Sequence, residues 1–125
     1  TYAVRRDYLE KNRDVIVRWA MAYLQGVKEF NATAANPDAH PDIVEILAKN
    51  TVLNKPELVK AIAPNWGYLN EDGTPPVDSI MSMQEFWSSG PFKLVEKKIP
   101  REQLFDLSVA TEAKAQLVRE KPFGN

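Results

Sequence analysis

The strongest constraint on the fold lies between Asn12 and the Asn36-Pro37-Asp38-Ala39-His40-Pro41 segment. Ile16, Trp19, Ala20, Tyr23, Leu24, Val27 and Phe30 recur at three- and four-residue steps, which puts them on one stripe of an α-helix. Asn12 suits the N-cap, and Asp14 lies in the first turn, where the helix dipole favours a negative charge. The pattern predicts a helix over residues 13–34. The two prolines that follow end it, because proline cannot continue a helix and pushes the residue before it towards extended geometry.

That helix carries more apolar surface than one stripe needs, since Val15, Met21 and Ala22 fill positions around it. A helix apolar on more than one side is normally sandwiched between layers. Part of this surface is therefore expected to pack on another domain or another chain, and self-association of exposed stripes is plausible.

The rest of the chain reads as shorter helices between proline-rich turns. Tyr2-Ala3-Val4 has the character of a strand end, and Arg5 to Lys11 is short and charged. Pro41 suits the first turn of a helix that runs to about Asn50, with Ile43, Val44, Ile46 and Leu47 on its apolar side. Asn54 is expected to cap a third, with Pro56 in its first turn, Leu58, Val59 and Ile62 buried, and Pro64 as its stop. Residues 65–76 form a loop with a turn at Asp72-Gly73. A fourth helix carries Val77, Ile80, Met83 or Gln84, and Trp87, with Met81 and Phe86 beside them and Gly90-Pro91 as its stop. Phe92 to Ile99 is short and basic, Arg101 to Leu107 is a further short segment, and Ser108 opens a last helix with Lys114, Arg119 and Lys121 towards its end. The sum is a mainly α chain of five to six helices with at most a trace of strand, treated as one domain over residues 1–125.

Composition closes off several chemistries. Sixteen basic against 17 acidic residues give a net charge of −1 over the 125 residues, so the broad positive footprint of a nucleic-acid binder is missing and no nucleic-acid partner is expected. The absence of Cys removes disulfides, thiolate metal sites and thiol nucleophiles. The single His, His40, makes a Ser–His triad improbable. With five Gly and no Gly-Lys-Ser/Thr run there is no phosphate-cradling loop. No apolar run reaches the ~20 residues of a membrane span. The opening Thr1-Tyr2-Ala3-Val4 carries no basic-then-apolar leader and reads as a processed or excised piece.

Few residues are candidates for chemistry, and each has a plainer reading. His40, near Asp38 and Asp42, suits an exposed helix start better than a general base or metal ligand. Glu71-Asp72 suits a solvated turn better than half of a carboxylate pair. A Ca²⁺ loop aligned on Gly73 would need ligands at Tyr68 and Ser79, and neither is a carboxylate. Asn31-Ala32-Thr33 matches the glycosylation triplet but falls in a helix tail. Lys97, Lys98 and Arg101 suit a solvated face. Trp66 and Tyr68, either side of Gly67, can plug a helix junction or stack on a ligand or partner. Trp19, Tyr23, Phe86 and Trp87 are expected in the core, where core includes packing against something outside this chain. Catalytic, metal and cofactor sites are expected to be none, and ligand-binding residues are not assigned.

The order of these features resembles a known family. Tyr2-Ala3-Val4-Arg5-Arg6-Asp7-Tyr8-Leu9-Glu10-Lys11-Asn12, then Val17-Arg18-Trp19-Ala20-Met21-Ala22-Tyr23-Leu24-Gln25-Gly26, then Leu53-Asn54-Lys55-Pro56-Glu57-Leu58-Val59, then Asp72-Gly73 with Ser79-Ile80-Met81-Ser82-Met83-Gln84-Glu85-Phe86, and finally Phe105-Asp106-Leu107-Ser108 look like the C-terminal portion of ABC-transporter periplasmic substrate-binding proteins. The resemblance is to the nitrate/sulfonate/taurine and thiamine-precursor group. Arg13 departs from it where the family commonly has Pro. The resemblance implies a helical C-terminal part of a type II periplasmic-binding fold, whose two α/β lobes hold the ligand between them. It also implies a periplasmic or extracytoplasmic location and no catalysis. The implied partners are the N-terminal part of the same protein, a membrane permease, and a small anionic or heteroaromatic solute. The alternative is a free-standing α-helical protein-interaction module with Trp66 and Tyr68 on its contact surface. A small enzyme is disfavoured because no nucleophile–base set is visible.

Overall fold

The computed structural model describes residues 2–89, 91 and 93–120. It is mainly helical. In chain order the α-helices are α1 (Arg6–Lys11), α2 (Arg13–Ala35), α3 (Pro41–Asn50), α4 (Pro56–Ile62), α5 (Val77–Ser89), α6 (Arg101–Leu104) and α7 (Ser108–Glu120), with single 3₁₀ turns at Pro37–Ala39 and Ala63–Asn65. The helix expected over 13–34 is α2, one residue longer. Among the described residues seven α-helices stand where five or six were expected, because two charged segments (Arg6–Lys11 and Arg101–Leu104) wind into short helices of their own. Gly90, Phe92 and Lys121 fall outside the described residues.

Three local expectations need correction. Among the described residues there is no strand. Tyr2-Ala3-Val4 forms no strand ladder, and Tyr2 instead sets its ring edge-on to Trp19 at 4.8 Å and 79°. Asn12 does separate α1 from α2, but its side chain faces backwards. Its amide Nδ2 donates to Tyr8 O at 3.1 Å, so the side chain closes α1, while its carbonyl accepts the Ile16 N–H that opens α2. Asn54 does not cap α4. Pro56 at the start of α4 forces Lys55 into extended geometry (φ −141°, ψ 130°), which moves the turn one residue earlier. Asn54 takes it up with φ 45°, a left-handed conformation that Asn tolerates better than most residues.

The chain divides into two compact units, Met21–Glu71 and a second formed by Thr1–Ala20 with Asp72–Asn125. In the first, Met21, Leu24 and Val27 of α2 are buried at three-residue steps. Val44 and Ala48 of α3 and Val59 of α4 form an apolar cluster, covered by Leu47, Leu53 and Trp66. Thr33 is fully buried and satisfies its hydroxyl by donating to Glu29 O at 2.7 Å, one turn back. Trp66 stacks on Phe30 with ring centroids 4.7 Å apart and planes 12° from parallel.

The second unit is held more by polar ties. Arg13 Nε donates to Glu112 Oε2 at 2.9 Å and Arg13 Nη2 to Ser108 Oγ at 3.1 Å, joining the start of α2 to the first turns of α7. Asp106 Oδ1 accepts the Ser108 N–H at 2.9 Å and so satisfies one of the free donors at the start of α7. Gln84 of α5 accepts the Ile99 N–H at 2.8 Å and donates to Ile99 O at 2.9 Å. Within this unit Val17, Ala20 and Ala113 are buried, and α5 buries no residue completely.

Candidate functional site

The aromatic residues expected in the core divide by unit. Trp66 covers the α3–α4 cluster, which is the junction-plug reading. Tyr23 is half-buried. Trp19, Phe86 and Trp87 are 45 %, 62 % and 39 % exposed, which corrects their placement in a core within this chain. On α2 the buried line runs through Val17, Ala20, Met21, Leu24 and Val27, so the helix is rotated from the expected stripe and Trp19 falls outside it. On α5, Met83 joins Phe86 and Trp87 at the surface, and Leu94 and Ile99 beyond it are also exposed.

The polar candidates are not drawn together into a reactive set. His40 is half-buried at the start of α3. Its N–H donates to Pro37 O at 3.3 Å and its carbonyl accepts the Val44 N–H at 3.1 Å. The neighbouring Asp38 carboxylate is taken by Lys60 at 2.7 Å, which leaves the imidazole without that orienting partner. Glu71 and Asp72 engage different groups. Glu71 Oε1 accepts from Asn31 Nδ2 at 3.1 Å, whereas Asp72 Oδ1 accepts the Thr74 N–H at 2.8 Å and the Thr74 hydroxyl. Those two bonds hold the Asp72 carboxyl below the usual carboxylate range, the hydroxyl contributing most. Among the described residues no group of three or more His, Asp or Glu is placed to hold a metal ion.

The Asn31-Ala32-Thr33 triplet is structural. Asn31 Nδ2 donates to Leu69 O at 2.8 Å, and Asn31 Oδ1 accepts the Leu69 N–H at 3.1 Å. This side-chain amide is thus a clamp on the 65–71 loop, and the third residue of the triplet is inaccessible. Lys98 pairs with Glu85 at 2.5 Å and Arg101 with Asp78 at 3.6 Å, so the basic segment is balanced by α5. All four groups are well exposed, which makes each pair worth little.

Two surface features remain. Tyr68 is 73 % exposed, on a loop fixed on one side by the Trp66–Phe30 stack and on the other by the Asn31 clamp. A groove of about 490 Å³ in the second unit is lined by Val4, Arg5, Tyr8, Lys11 and Ile16 among others. The Arg5 guanidinium at its edge is engaged by Asp7 through bonds of 2.7 and 3.1 Å. Sequence reasoning missed the clamping roles of Asn31 and Gln84. An amide on a helix facing a polar loop was the only signal available. No helix of the described residues is long and apolar enough to cross a membrane. Comparison with family models, curated proteins and solved structures finds no match for this chain.

Proposed function

We propose that this chain is the C-terminal helical region of an extracytoplasmic solute-binding protein that serves an ABC importer, and that it lacks the main ligand site. The observation that carries the reading is the exposed apolar surface of the second unit, where Val15 and Trp19 on α2 and Met83, Phe86 and Trp87 on α5 lie open. Large apolar side chains left open on two helices suit surfaces that pack on something else, and the order of the family-like segments suggests what that is. The remainder of a two-lobe protein would cover α2 and α5, and closure of the lobes would capture a small anionic or heteroaromatic solute. The exposed Tyr68 on its clamped loop favours a second reading, a free-standing helical interaction module.

The test compares this chain with the product of its reading frame extended N-terminally to the initiator Met. Titration calorimetry with nitrate, an alkanesulfonate and an aminopyrimidine is expected to give one-to-one binding of one of them to the longer product and none to the 125-residue chain. One-to-one binding by the short chain would displace the site. A reading frame that opens close to Thr1 would favour the interaction module.

A further inference from the structure

Asp72-Gly73 is the chain's one Asp-Gly step, and no Asn-Gly occurs. Such a step is chemically labile because glycine places no side chain between the next amide nitrogen and the preceding carboxyl. The Gly73 nitrogen can attack Cγ of the protonated Asp72 carboxyl. A C–N bond forms, the C–OH bond breaks, and water leaves with the hydroxyl and the amide proton. Water then re-enters at either carbonyl of the resulting five-membered imide, and opening at the α-carbonyl leaves the chain running through the β-carboxyl. One water is lost and one regained, so no other reactant is needed.

Two features bear on this site. Asp72 is exposed and Gly73 half-buried. The attack also needs Cγ turned onto the Gly73 nitrogen, and the fold opposes that turn. Asp72 Oδ1 is tied to both the amide and the hydroxyl of Thr74, and Pro75 and Pro76 fix the backbone that follows. The same bonds keep the carboxyl ionised, which is the unreactive form.

We propose that Asp72-Gly73 is a site of spontaneous aspartate isomerisation and that Thr74 is the residue that protects it in the folded chain. The test ages the folded protein and its free tryptic peptide, residues 61–93, side by side at 37 °C. β-Linked aspartate at position 72 is read by isoaspartyl methyltransferase labelling and by fragmentation mass spectrometry. The folded chain is expected to isomerise roughly three- to tenfold more slowly than the peptide, the factor that opening one or two such hydrogen bonds implies. Thr74→Val, which removes the hydroxyl bond and keeps the amide bond, should raise the folded rate part of the way to that of the peptide, and Thr74→Ser, which keeps the hydroxyl, should leave it low. Equal rates in folded chain and peptide would overturn the protective role, whether or not the valine variant folds. So would an unchanged rate in a Thr74→Val protein of native helix content. Earlier isomerisation at another aspartate would overturn the choice of site.

Discussion

Two helix-borne amides hold two loops in the same way, Asn31 on Leu69 and Gln84 on Ile99, each through both the N–H and the carbonyl of the clamped residue. What surrounds each clamp differs. In the unit over Met21–Glu71, α3 and α4 close on Val44, Ala48 and Val59, and Trp66 lies over them. In the other unit, α5 carries Phe86 and Trp87 at its surface and buries no residue completely. The contrast shows that an apolar stripe on a helix does not by itself make a core. A core needs a second surface within reach, and α3 and α4 provide one for each other.

The comparison can be broken most sharply by truncation. Leu24→Ala removes a side chain that is 2 % exposed and should cost about 2–4 kcal/mol in urea unfolding followed by circular dichroism. Phe86→Ala, on a ring 62 % exposed, should stay within about 0.5 kcal/mol. Equal losses would mean that the second unit has a core as tight as the first. The clamps come next. Asn31→Ala and Gln84→Ala should each cost about 1 kcal/mol, because each leaves both main-chain groups of the clamped residue, Leu69 or Ile99, without their side-chain partner. Hydrogen exchange at Leu69 and Ile99 would read each loop separately.

Smaller effects follow at helix ends and faces. The Asp106 carboxyl is held below its usual range chiefly by its bonds to Ser108, with Arg13 and Arg6 adding to the shift. A depressed folded pKa contributes stability that is present above the unfolded value near 3.8 and is lost as pH falls through the folded value. Asp106→Ala should therefore cost about 1 kcal/mol at neutral pH, the usual size of a lost cap. The gap from the parent chain should narrow below pH 4, which acid titration of both proteins checks. Gly26→Ala is the mildest change. A Cβ there meets nothing within 4 Å, so thermal unfolding should show a gain of about 0.5–1 kcal/mol.

Sequence periodicity read the helices well where apolar spacing ran unbroken, as along α2, and where Pro41 and Pro56 marked the first turns. It failed where a tertiary partner decides the outcome. Tyr2-Ala3-Val4 has strand-forming residues but no neighbouring strand among the described residues. Trp19 fits the stripe by spacing, but the helix turns Val17 and Met21 inwards in its place. Asn31 belongs to a glycosylation triplet in a helix tail, and only the tertiary placement of the 65–71 loop gives its amide a role. Asn54 has the residue type of a cap but lies one position too early, because Pro56 extends the residue before it and Lys55 takes the boundary.

The stack of Trp66 on Phe30 also makes the chain self-reporting. Trp66 is the sole tryptophan between Met21 and Glu71, whereas Trp19 and Trp87 belong to the other unit. Loss of the stack would expose the Trp66 indole and redden its emission, while the two already half-open indoles have less change to show. A chain with Trp19 and Trp87 replaced by Phe would give the unfolding of one unit alone. A chain with Trp66→Phe would give that of the other. Superimposable curves would mark a single cooperative body, and separated ones would mark two parts that melt on their own terms.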